Sequence, residues 1–148
     1  MSVQFPRTMV GGVSLPRMII GSNWLLGYSH STAAMGEFIL RVNSNVKAVS
    51  DIACAYLHHG IDAIMIPFTK GEERCYTLLD GLKDAEDRMG MGIKKIIVVN
   101  PNVEDTKEAR QEAEDLIKHS KDCGADFTFI FHGKRFIFTD NPEGYKRN

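Results

Sequence analysis

The side chains in this 148-residue sequence that could meet a ligand fall in short groups: Asn23, Trp24 and His30 in SNWLLGYSHS, Thr69 and Lys70 in PFTKG, Asn100 in VVNPN, and His132 in FIFHG. The amides of Asn23 and Asn100 suit a ligand carbonyl or hydroxyl, and the Trp24 indole suits stacking on a substrate. Thr69 adds a hydroxyl. Lys70, just before Gly71-Glu72, would meet a phosphate near a helix start. His30 and His132 are the candidate catalytic residues, because imidazole exchanges protons near neutral pH. His30 has metal ligation as a further option. Each has a structural reading beside the functional one. Asn23 suits a strand-end turn, Trp24 the cap of a core, His30 a helix start and His132 a tight turn. His58, His59 and His119 belong to late helical turns, where the helix dipole favours imidazolium. No metal centre is expected and the cofactor is left open, since GxGxxG, GxxxxGK[ST], HExxH and GxSxG are all missing from the sequence.

These groups are spread along the chain, so a fold must gather them. Gly60-Ile61-Asp62, Gly92-Ile93-Lys94 and Gly124-Ala125-Asp126 recur at one interval, 92 − 60 = 124 − 92 = 32. A βα unit takes roughly 30 residues, and glycine suits the helix end that precedes each strand. Near-continuous apolar runs at 17–22, 62–67, 94–99 and 126–131 read as buried parallel strands. Apolar positions at helical spacing mark helices over 44–58, 72–89 and 106–121, with 33–42 an earlier helical turn or part of one long helix. Asp105 followed by Glu108 reads as a capping box for the last of them. The expected fold is therefore α/β: a parallel sheet of consecutive βα units, four strands in sequential order under three helices. Ligands bind such sheets at the C-terminal ends of the strands. The short groups all fall at those ends, which predicts one small-molecule site there.

Composition sets the remaining bounds. The length fits a single domain over 1–148, with 139–148 a polar, frayed tail. A net charge of −1 gives no field to recruit nucleic acid or anionic lipid. No apolar run approaches the roughly 18 residues of a membrane span, and the N-terminus lacks a secretory pattern. The three cysteines are widely spaced without a CxxC, which fits a reducing cytoplasm.

GGVSLPRMIIGSNWLLGYSHSTAA resembles the start of an uncharacterised bacterial group of TIM-barrel proteins and, more distantly, of the aldo/keto reductases. LHHGIDAIMIPFTKGEERCYTLLDGL is similar to their second βα unit, IKKIIVVN to their third strand, and DFTFIFH to their fourth, which carries the family's active-site histidine at His132. The resemblance implies the N-terminal half of a (β/α)8 barrel. It departs at the chemistry. Those reductases carry Asp-Thr-Ala after the second strand and a catalytic Tyr downstream, where this sequence reads Met65-Ile66-Pro67-Phe68-Thr69. Their lysine at the third strand is replaced near Val99-Asn100. Without the tyrosine acid and its lysine, ketone reduction has no proton donor, and that activity is not expected.

After its fourth strand the sequence continues FHGKRFIFTDNPEGYKRN, which reads as a return strand at 134–138 across a tight turn at His132-Gly133. The chain is then either a small natural domain, the first half of a barrel, or an inactive truncated barrel. Four parallel strands leave two open edges that invite pairing. A homodimer completing an eight-stranded ring is the expected partner arrangement, beside a structural or interaction module as the alternative to a ligand site.

Overall fold

A computed structural model describes residues 5–43, 45–69, 71–102 and 104–131. Its first elements are strands β1 (Arg7–Val10), β2 (Val13–Pro16) and β3 (Ile20–Gly21), then helices α1 (Ala33–Asn43) and α2 (Val46–His58). There follow β4 (Ala63–Pro67), α3 (Glu73–Met89), β5 (Lys94–Val99), α4 (Lys107–Asp122) and β6 (Phe127–Ile130). Strands β3, β4, β5 and β6 lie side by side in that order, and each neighbouring pair is parallel. The protein is thus a mixed α/β fold on a four-stranded parallel sheet, as the apolar runs predict.

The register assigns each side chain to a face. Ile20 aligns with Ile64, Ile66 with Ile97, and Ile97 with Thr128, so these residues share one face. That face is the core: Ile20, Ile64 and Ile66 pack with Val49, Ala53 and Leu57 of α2 and with Leu78, Leu82 and Ala85 of α3. Helix α4 lies on the same face, where the Ser120 and Thr128 hydroxyls meet at 2.5 Å. One-sided helices follow from sequential parallel strands joined by crossovers of one hand. The opposite face carries Met65, Ile96, Val98, Phe127 and Phe129 by the same register.

Four expectations are corrected. Of the two readings of 33–42, the separate element holds and is a full helix, because the Asn45 side chain accepts the Ala48 N–H and starts α2 afresh; the fold therefore has four helices rather than three. Helix α4 is capped by Thr106, whose hydroxyl accepts from Ala109 N–H at 3.1 Å, while Asp105 pairs with Arg110. Helix α3 ends on Gly90 in the left-handed conformation, φ 63°, two residues before the Gly92 of the repeat. The strand expected at 17–22 shortens to Ile20–Gly21, and ahead of it stands an antiparallel hairpin, β1 with β2, closed by Gly11-Gly12 at positive φ as a two-residue turn of this hand demands. Arg7 locks that hairpin to the start of β4, donating to Asp62 at 2.8 and 3.1 Å. The return strand expected at 134–138 and the tail at 139–148 lie outside the described residues.

Candidate functional site

Because the four strands are parallel, Asn23 after β3, Thr69 after β4 and Asn100 after β5 all stand at the same end of the sheet. The hairpin lies at the other end, so each end has its own task. Lys70 and His132 lie outside the described residues. Thr69 and Asn100 face solvent.

The loop from Ser22 to Thr32 is the most built part of this edge. Ser22 is buried and donates its hydroxyl to Met65 O at 2.7 Å, tying the loop root to β4. A helical turn follows, with Leu25 and Leu26 N–H on Ser22 O and Tyr28 N–H on Asn23 O at 2.8 Å. Leu25 and Leu26 point inward and join the core, which turns their neighbour Trp24 outward, 57% exposed. Trp24 therefore does not cap the core. The Asn23 amide nitrogen lies 2.8 Å from His30 Nε2. The two side chains are thus hydrogen-bonded to one another, with donor and acceptor set by the His30 tautomer. His30 holds φ 54°, a left-handed conformation that costs a non-glycine residue about 1–3 kcal/mol.

Beneath this loop lies a network that the residue types alone do not reveal. Arg74, in the first turn of α3, donates to Leu26 O at 2.9 Å, to the Tyr28 hydroxyl at 2.8 Å and to Glu72 at 2.8 Å. Its guanidinium also sits 4.6 Å from the Tyr28 ring centre. A signal for it did exist: a cation in the first turn opposes the helix dipole, so Arg74 calls for a local anion and acceptors. Burial pushes the Tyr28 phenol above its ordinary value, against the pull of Arg74. Burial likewise pushes up the Cys75 thiol, whose ordinary value is 9.0. A raised folded-state value stabilises the fold below the ordinary one and is lost as pH climbs through the shifted one. Unfolding free energy is therefore expected to decline above pH 9, more steeply in the parent than in Cys75→Ala. Urea midpoints across the alkaline range measure it, and identical slopes would exclude the thiol as the cause.

Two hollows lie near these elements. One of about 560 Å³ is bounded by α4 alone, from Lys107 to His119, and is a surface furrow rather than an enclosure. One of about 270 Å³ lies between Leu25, Asn43, Val49 and the first turns of α3, with Arg74 in its wall. Neither of these two is lined by Asn23, Trp24, His30, Thr69 or Asn100. Among the described residues, no three His, Cys, Asp or Glu side chains converge as metal ligands. No helix among them is long and apolar enough to cross a membrane. Compared with protein-family models, with curated proteins and with solved structures, the chain matches none.

Proposed function

We propose that this chain is a half-barrel of the (β/α)8 type that holds a small molecule at the C-terminal edge of its parallel sheet. In this reading Asn23 orients a carbonyl or hydroxyl of the ligand, Trp24 offers a stacking face, and His30 exchanges a proton with it. Thr69, Lys70 and Asn100 complete the edge, with His132 as the further acid–base candidate. The aldo/keto reductase reaction is left out, since its tyrosine and lysine have no counterparts. A reducing cytoplasm remains the proposed compartment. The observation that carries the reading is the Asn23–His30 pair, held at 2.8 Å with His30 in a strained conformation at the edge where such sheets bind ligands. The test is a thermal-shift screen of hydroxylated and carbonyl compounds, followed by titration of the fluorescence of Trp24, the chain's one tryptophan. Asn23→Ala is expected to weaken any ligand so found by about ten- to a hundredfold, the loss of one or two oriented hydrogen bonds. The urea midpoint should barely move. Undiminished affinity in Asn23→Ala would remove the pair from the site.

A second reading is favoured by the sheet face that the helices leave uncovered. Phe129 there is 45% exposed on β6, the edge strand among the described residues, beside Val98. A second copy related by a two-fold axis would bring the β6 edge to the β3 edge of its partner and close eight parallel strands into a ring. The self-associating half-barrel then predicts a dimer by light scattering at micromolar concentration, and a monomer in Phe129→Glu. A folded parent monomer rules it out.

A further inference from the structure

The chain of bonds that begins at Arg74 ends on the candidate site. Its guanidinium holds Leu26 O and the Tyr28 hydroxyl. The Tyr28 N–H holds Asn23 O at 2.8 Å, and the Asn23 side chain holds His30. We propose that Arg74 is the positioning residue of the site, a strut from α3 that sets the orientation of the Asn23–His30 pair without touching the ligand.

Three physical points support this. Helix stability does not call for the residue, because the dipole at the first turn of α3 favours an acid, and Glu73 already supplies one. The planar fork of arginine can serve three acceptors in different directions, which an ammonium on a flexible stem cannot do from one place. Here the three acceptors belong to two separate segments: Leu26 and Tyr28 on the site loop, and Glu72 at the start of α3. Glu72 holds the fork at its Nε side, which leaves the two terminal nitrogens for the loop. The fork therefore fixes the loop relative to a helix that is itself anchored in the core by Cys75, Leu78 and Leu82. Gly27, between the two clamped residues, has φ 80°, a conformation that glycine adopts without the cost a side chain would add.

This rests on reading Asn23 and His30 as the ligand-facing pair, but its test needs no ligand. The side-chain amide resonances of Asn23 and the ring resonances of His30 are followed by NMR in the parent, Arg74→Met, Arg74→Lys and Tyr28→Phe, with His30→Ala defining the unpaired Asn23 signal. In Arg74→Met the Asn23 amide is expected to move to its unpaired position while the core methyl resonances stay in place. Arg74→Lys should fail to restore it. Tyr28→Phe, which keeps the ring and loses one of the three bonds, should shift it partway and carries the test if Arg74→Met does not fold. An Asn23 amide unchanged in Arg74→Met, or in Tyr28→Phe where that variant carries the test, overturns the proposal and leaves Arg74 a stabilising residue only. Absence of any ligand with these resonances moved as expected would instead defeat the functional reading and spare the strut.

Discussion

Gly81→Leu is expected to abolish cooperative folding, and Gly81→Ala to lower stability by about 1–3 kcal/mol, the range for overpacking a tight core. Helix propensity alone argues the reverse, since alanine exceeds glycine by roughly 1 kcal/mol inside a helix. Sterics decide the sign. A Cβ at residue 81 would stand 2.5 Å from both Cβ and Cγ1 of Val49 and 3.0 Å from Val46 O. Neither the Val49 Cβ nor the Val46 carbonyl can swing away, so α2 would have to move off α3, and Val49, Leu78 and Leu82 would lose contact together. Gly92→Ala is the control: a Cβ there meets nothing within 4 Å, and the change should be neutral or stabilise by up to about 1 kcal/mol. Urea titration reads both as midpoint shifts at unchanged slope. A Gly81→Ala variant as stable as the parent would show that the two helices do not approach this closely.

Residue 81 also marks a limit of what the sequence makes legible. The strands at 62–67, 94–99 and 126–131 could be read from their near-continuous apolar runs, although the last is not buried as expected but half-buried to exposed, and the order followed from short connections of one hand. The hairpin escaped because β1 is mostly exposed, as Met9 and Val10 are, and the four residues of β2, though its Leu15 and Pro16 are buried, are too few to carry an apolar pattern. Its clue lay in the turn, Gly11-Gly12 between two valines, and not in the strands. The break between α1 and α2 was similarly quiet, since a single asparagine cap interrupts an apolar periodicity that otherwise runs on. Gly92 was preferred to Gly90 because the regular interval pointed there, but the helix ends where the backbone first turns left-handed.

At the site, the edge was legible and the contacts were not. Parallel strands fix which residues share an end, so Asn23, Thr69 and Asn100 could be grouped from connection order alone. That Asn23 would bond His30 depends on the turn between them, in which Leu25 and Leu26 fall inward and Trp24 outward. Arg74 lies 46 residues from Tyr28, and no local pattern couples them. What the sequence offered was a misplaced charge, a cation where the helix dipole wants an anion.

The loop's other support is α1, and Gly27→Ala should detach it. Residue 27 holds φ 80°, and a Cβ there would lie 2.5 Å from Leu40 Cγ and 2.7 Å from its Cδ2. Retreat is blocked from the other side, because Gly36 of α1 already meets Gly27 O, 3.0 Å from where its own Cβ would be. Left-handed strain of about 1–2 kcal/mol and overpacking of about 1–3 kcal/mol then act at one contact. Helix α1 has a single buried residue, Ile39, so it is held less firmly than the α2–α3 core and should give way by local opening before the sheet unfolds. Hydrogen exchange of the α1 amides is expected to quicken by roughly 30- to 1000-fold, the equivalent of about 2–4 kcal/mol, while amides of β4 and β5 keep their protection. The Asn43 side chain donates to Trp24 O at 2.7 Å, so opening α1 also frees the site loop, and Trp24 emission should shift to the red. Gly36→Ala, with ordinary helical φ and a gain in propensity, should show the same change to a smaller degree. Parent-like exchange of α1 in Gly27→Ala would mean that the helix does not rest on the loop, and that the site's geometry is set from α3 alone.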